Sequence, residues 1–188
     1  MCAQDERVKL RLATRQFTHK SLFDKNGLLY YIGSAGAVDQ YSNPHQSAGV
    51  IAKMSSRAVD SDPALFVAHD SVEDNSTEEN EGEFMAVDLG PYRQFRPTFY
   101  CLRNGGSEES DCVLRDWNLQ GSADGQQWTT LHSHDRDLAL EAKSYSVAGW
   151  AIESSHPFQC FRVVRNTKGP VSCSGIELYG ELGLKLLE

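Results

Sequence analysis

Arg103-Asn104, Arg115 and Arg165-Asn166-Thr167-Lys168 are the places where this chain could hold a charged ligand. A guanidinium offers planar, forked donors that match a carboxylate or phosphate, and an ammonium adds a mobile point charge. Each of these positions borders a β-prone run. Arg103-Asn104 follows FRPTFYCL (95–102), Arg115 precedes DWNLQGS (116–122) after the loop GGSEESD, and Arg165 to Lys168 leave CFRVVRN (160–166). Asn43-Pro44-His45 makes a further polar loop after LLYYI (28–32). Residues at strand exits that point the same way share one end of a sandwich even when distant in sequence. The pattern predicts that Asn43, His45, Arg103, Asn104, Arg115, Arg165 and Lys168 cluster at one end and bind a carboxylate, phosphate or amide. The structural alternative is that Arg103 and Arg115 pair with Asp88, Asp111 or Asp116 and tie loops together.

Other constellations are thinner. His132-Ser133-His134 puts two imidazoles on one face of an extended segment, near Asp135 and Asp137, but a metal site needs three or four convergent ligands. A solvated strand end accounts for the pair. Asp24-Lys25-Asn26-Gly27 can be read as a calcium loop, yet an Asx-type turn explains it without metal, and no cofactor is expected. There is no G-x-S-x-G, H-E-x-x-H or phosphate-binding glycine loop, so no catalytic residues are assigned. Asn75-Ser76-Thr77 is a glycosylation sequon. It lies in Asp70 to Glu83, which holds seven acids and no base and reads as a solvated loop. The net charge is −8, but outside that stretch 19 acids face 18 Lys and Arg, which disfavours nucleic acid as a partner.

The elements that must position these residues are short. LLYYI (28–32), EFMAVDL (83–89), FRPTFYCL (95–102), DWNLQGS (116–122), QWTTL (127–131), SVAGWAI (146–152), CFRVVRN (160–166) and SGIELYG (174–180) are β-prone runs separated by turn residues. They predict an all-β fold, an antiparallel two-sheet β-sandwich of jelly-roll type. Gly121 to Gly125 specifies a hairpin, with Trp117 and Trp128 packing on a common core. A short helical turn is expected over Leu65 to His69, after Asp62-Pro63. The expected organisation is an N-terminal arm (1–16), one sandwich domain (17–182) and a tail (183–188) whose last residues resemble a cloning remnant. Cys2, Cys101, Cys112, Cys160 and Cys173 form no C-x-x-C pair and are odd in number, which points to reduced thiols. With no apolar secretory segment or membrane span, the expected setting is cytoplasmic or nuclear.

The string RDWNLQGSADGQQWTTL, preceded by AVDLG and RPTFYCLRNG and followed by FRVV and SGIELYG, resembles the discoidin-like, galactose-binding-like (coagulation factor type C) superfamily. FDKNGLLYYIGSAG and YSNP add a narrower similarity to intracellular members, namely the SUN-like domain of a HECT-type ubiquitin ligase and domains of BTB-type proteins. The resemblance covers roughly Phe17 to Gly180. It implies a non-catalytic module that binds a protein or peptide, with an anionic group as one ligand chemistry. Carbohydrate binding through Tyr30, Tyr31, Tyr41 and Asn43 is the alternative. Membrane binding is not expected, since end-bridging cysteines and a loop of exposed aromatics are both missing.

Overall fold

The computed structural model describes residues 14–70, 72–107, 112–154 and 156–184. It contains β1 (Arg15–Phe17), α1 (Leu28–Gly33), α2 (Pro44–Ser47), β2 (Ile51–Met54), a 3-10 turn (Pro63–Val67), β3 (Phe84–Asp88), β4 (Arg93–Asn104), β5 (Trp117–Ser122), β6 (Thr129–His134), β7 (Val147–Ala151), β8 (Cys160–Arg165) and β9 (Cys173–Leu184). One sheet has the order β1-β9-β4-β7 and the other β2-β3-β8-β5-β6. All the named strand pairings are antiparallel. This is the expected two-sheet sandwich. Residues 1–13 of the arm and 185–188 of the tail lie outside the described residues.

Alternation drives the layering. Trp117 and Leu119 of β5, Val163 of β8 and Met85 and Val87 of β3 turn inward to meet Tyr100, Leu102, Ile176 and Leu178 of the facing sheet, all essentially without solvent contact. In β4 the phase changes: Phe95 and Pro97 are buried before the register shift at Pro97/Phe99, Tyr100 and Leu102 after it. Proline cannot donate to the ladder, and a bulge beside it restores the inward alternation one residue later. The shift lies opposite Gly180, whose φ is +146° and whose added Cβ would meet the Arg96 carbonyl oxygen at 2.1 Å.

Three local expectations change. LLYYI is helix α1 and not a strand, because the Glu177 carboxylate on β9 receives its first N–H groups. Leu29 N donates to Oε1 at 2.7 Å and Tyr30 N to Oε2 at 3.0 Å. That long-range cap replaces the side chain Gly27 lacks at the N-cap, and a Cβ on Gly27 would lie 2.1 Å from the Glu177 carboxyl carbon. Trp117 is in the core, whereas Trp128 is only half-buried on the outer face of the five-stranded sheet, with the Arg162 guanidinium 4.2 Å from its ring centroid. The helical turn forms as a 3-10 turn whose start is capped by Asp62 Oδ1, which accepts from Ala64 N at 2.8 Å.

Cys101, Cys112, Cys160 and Cys173 are free thiols, and Cys2 is outside the described residues. Burial raises the Cys101 thiol to about 11 and the Cys160 and Cys173 thiols to about 12, so they act as small apolar side chains. Among the described residues no helix is long and apolar enough to cross a membrane.

Candidate functional site

The strand registers divide the connections between two ends. The described residues of connections 55–83, 105–116, 135–146 and 166–172 share one end, and those of 89–92, 123–128 and 152–159 the other. Arg103 and Asn104 close β4, Arg115 precedes β5, Arg165 closes β8 and Lys168 follows it, so these five occupy the same end. Asn43, the N-cap of α2, and His45, within it, lie where α2 leads into β2 and packs against the 3-10 turn of connection 55–83. Asn43 caps its own helix, accepting from His45 N at 3.0 Å and donating to the Ala64 carbonyl at 2.8 Å. His45 Nδ1 accepts from Ala52 N at 3.0 Å.

The arginines at the loop end point largely inward, with main-chain carbonyls prominent among their partners. Arg103 is 5% exposed. It donates from Nη2 to the Ala68 (2.9 Å) and Ser174 (2.7 Å) carbonyls, from Nη1 to that of His69 (3.0 Å), and from Nε to Ser174 Oγ (3.1 Å). Its plane lies 4.6 Å from the Phe23 centroid. Arg115 Nη1 donates to the Asp137 (3.1 Å) and Leu140 (2.6 Å) carbonyls, and Arg165 Nη1 to that of Pro170 (2.7 Å). Asn104 Nδ2 bonds the Lys143 carbonyl at 3.1 Å, while its buried Oδ1 has no partner among the described residues. Of the carboxylates expected to pair with these arginines, Asp88 receives Gly90 N and Gln159 Nε2, Asp116 receives Arg136 N, and Asp111 lies outside the described residues. Arg115 is half-buried and Lys168 exposed.

His134 is not a solvated strand end. It is 5% exposed, stacked on Trp117 at 3.8 Å and joined through Nδ1 to Asp137 Oδ2 at 2.6 Å. Its Nε2 lies 2.7 Å from Tyr100 Oη, which accepts from Trp117 Nε1 at 3.2 Å. Trp150 Nε1 donates to the same Asp137 oxygen at 2.9 Å. One proton arrangement satisfies every member: Nδ1–H to Asp137 and Tyr100 O–H to Nε2. Burial lowers the His134 pKa against the pull of Asp137. Burial alone would raise Asp137, but the Ala139 N–H, His134 and Trp150 hold it below its usual range. Tyr100 and His134 are buried, and only Asp137 at the end of the chain Asp137–His134–Tyr100 reaches solvent.

The acidic stretch is likewise partly built into the fold. Glu83 is buried, receives Asn80 Nδ2 at 2.8 Å and Ser56 Oγ at 2.7 Å, and also pairs with Ser55 Oγ. Asn75 of the sequon is fully buried, its Nδ2 on the Cys173 carbonyl at 2.9 Å, which denies that nitrogen to any modifying enzyme in the folded state. Asp24 fixes the 20–26 loop as an Asx-type turn: Oδ2 accepts from Lys20 N and Ser21 N, and Oδ1 from Asn26 N. Among the described residues no group of three His, Cys, Asp or Glu side chains could hold a metal ion.

Sequence reasoning also missed a cleft of about 340 Å³ on the flank, lined by residues of β1, α1 and the loop between them, among them Arg15, Lys20, Lys25, Asn26, Tyr30 and Tyr31. The Arg15 guanidinium carbon lies 4.1 Å from the Tyr31 centroid, and its Nη1 donates to Tyr31 Oη at 3.3 Å. Tyr30 is stacked on Tyr41 at 5.2 Å, with Lys25 Nζ 5.6 Å from its ring centroid. Tyr41 Oη in turn donates to the Val67 carbonyl and accepts from His69 N.

No family model matches the chain. It is 34% identical over 180 residues to E3 ubiquitin-protein ligase Ufd4 of Drosophila melanogaster, a match over 88% of this chain and 6% of that protein. It is 30% identical to E3 ubiquitin-protein ligase hecd-1 of Caenorhabditis elegans over 94% of this chain and 7% of that protein, and 29% identical to a BTB/POZ domain-containing protein of Arabidopsis thaliana over 84% and 21%. The chain therefore spans well under a tenth of the two ligases. Among solved structures it is similar to CpGH89CBM32-5 of Clostridium perfringens, determined in complex with GalNAc-beta-1,3-galactose, with a TM-score of 0.58 and 13% identity over 73% of this chain and 99% of that one.

Proposed function

We propose that this chain, a discoidin-like (galactose-binding-like) domain, is a non-catalytic binding module that recognises a protein or peptide, as part of an intracellular ubiquitin-ligase-type or scaffold protein. The observation that carries the reading is the character of the loop end. Its exposed large apolar side chains are aliphatic, Val59, Val72 and Leu138, interspersed with charged groups. A sugar platform needs an open aromatic face beside polar groups. Among the described residues the only strongly exposed aromatic is Tyr92, at the opposite end, while Tyr31 is faced by Arg15, and Tyr41 and Asn43 are engaged internally. Arg115 and Lys168 are the cationic contacts of the proposed surface. Arg103 and Arg165 hold its loops in place, and Asn104 ties loop 105–107 to Lys143. The kinship with segments of ubiquitin ligases supports an interaction role over a carbohydrate one.

The test is a parallel screen of the 188-residue chain against a displayed peptide library and a glycan array. The reading expects peptide binders whose affinity falls about tenfold or more on Arg115→Ala or Lys168→Ala, the scale of one charge-assisted contact. Selective glycan binding without peptide binders would instead establish the carbohydrate alternative.

A further inference from the structure

The flank cleft is distinct from the loop end and differs from it in charge. Its lining carries Arg15, Lys20 and Lys25 and no carboxylate. The nearest acid in sequence, Asp24, has its oxygens directed at the backbone N–H groups of Lys20, Ser21 and Asn26. That turn fixes the main chain at Lys20 and just past Lys25, so one carboxylate positions both lysines at the cleft rim. On the facing wall the Tyr31 ring supports the Arg15 guanidinium from one side and engages it through a hydroxyl, which restrains its plane. The molecule as a whole has a net charge of −8, so three cations lining one cleft without a lining acid form a local reversal of sign.

We propose that this cleft is a second binding site, for a phosphomonoester carried on a peptide. A doubly charged group with three acceptor oxygens matches one oriented guanidinium and two ammonium groups better than a single carboxylate does. The tyrosine hydroxyls and Asn26 add neutral hydrogen-bonding groups, and the volume suits a side chain rather than an extended polyanion. The phosphate oxygens would lie between Arg15 and the Lys20/Lys25 rim, with the carrier chain running along the exposed edge of β1.

The experiment is a titration of the ¹⁵N-labelled 188-residue chain with O-phosphoserine amide, sulfate and acetate at constant ionic strength, followed by amide chemical shifts. The expected result is saturable shifts at Gly27, Tyr30 and Tyr31 with phosphoserine amide and at least tenfold weaker binding of acetate. Arg15→Ala and Lys25→Glu should each weaken phosphoserine amide about tenfold or more while shifting the melting temperature by no more than about 4 °C. Sulfate binding as tightly as phosphoserine amide would overturn the assignment to a phosphate dianion, and acetate doing so would overturn it in favour of a carboxylate site. Shifts that do not saturate, that centre on the loops around Arg115 and Lys168, or that survive both substitutions would remove the site altogether, leaving the loop-end reading untouched.

Discussion

Arg103 and Arg15 each sit over an aromatic ring, Phe23 at 4.6 Å and Tyr31 at 4.1 Å, yet they do different work. Arg103 is buried and its N–H groups meet the Ala68, His69 and Ser174 carbonyls and Ser174 Oγ, joining β4, β9 and the segment after the 3-10 turn. Arg15 is exposed, with one side-chain bond to Tyr31 Oη. The ring contact is common to both, so it does not decide the role. What decides it is how far main-chain acceptors take up the guanidinium: at Arg103 they engage both terminal nitrogens and the cation is a strut of the fold, whereas at Arg115 they engage Nη1 alone and at Arg15 neither, which leaves donors for a ligand.

The sharpest way to break this contrast is Arg103→Ala. It leaves three buried carbonyls without their donor, and the expected cost is about 3–5 kcal/mol, measured as a lower urea midpoint with an unchanged slope. A loss below about 1 kcal/mol would mean that Arg103 is no strut. Next in size is Gly27→Ala. The φ of −82° suits alanine, but the new methyl group would collide with the Glu177 carboxylate that caps α1, for an expected cost of about 1–3 kcal/mol. Glu177→Ala combined with Gly27→Ala should show strong non-additivity, and simple additivity would mean that the cap is not the constraint.

Two buried groups give pH dependences of opposite sign. His134 has a folded pKa below its ordinary 6.5, so its contribution is intact above that value and is lost as pH falls, when the unfolded chain takes up a proton that the folded chain resists. Burial raises Glu177 to about 7, against three backbone N–H donors. The folded state then holds a proton that the unfolded state releases above about 4.5, and stability from this group is lost as pH rises from there through 7. Between pH 4.5 and 6.5 the two slopes oppose each other. Urea midpoints across this window should tilt upward with pH in Glu177→Gln and downward in His134→Gln. Parallel profiles for the two variants would contradict the assignment. The smallest effect completes the comparison: Arg15→Ala should change stability by no more than about 0.5–1 kcal/mol, the range of an exposed cation–aromatic contact. A larger loss would place Arg15 with Arg103 among the struts.

The sandwich was legible because alternation in β3, β5 and β8 needs only local sequence, and turn residues mark the strand ends. What was not legible depended on distant partners. LLYYI has the composition of a strand, and it is helical because Glu177, 148 residues beyond Leu29, caps it. The placement of Arg103, Arg115 and Arg165 at one end followed from strand order, but their inward hydrogen bonds to carbonyls did not, since a main-chain acceptor has no sequence signature. His132-Ser133-His134 showed its period of two without showing that Trp117 and Tyr100 would enclose His134. The flank cleft went unseen because β1 is three residues long and its pairing with β9 alone brings Arg15 to Tyr31.

The most direct test of the binding-module account is amide shift mapping of a library-selected peptide on the ¹⁵N-labelled chain, repeated with Arg115→Ala and Lys168→Ala. Shifts are expected in loops 55–83, 105–107, 112–116, 135–146 and 166–172, and either substitution should weaken binding about tenfold or more with folding preserved. Shifts confined to loops 89–92, 123–128 and 152–159, or peptide binding indifferent to both substitutions, would contradict it.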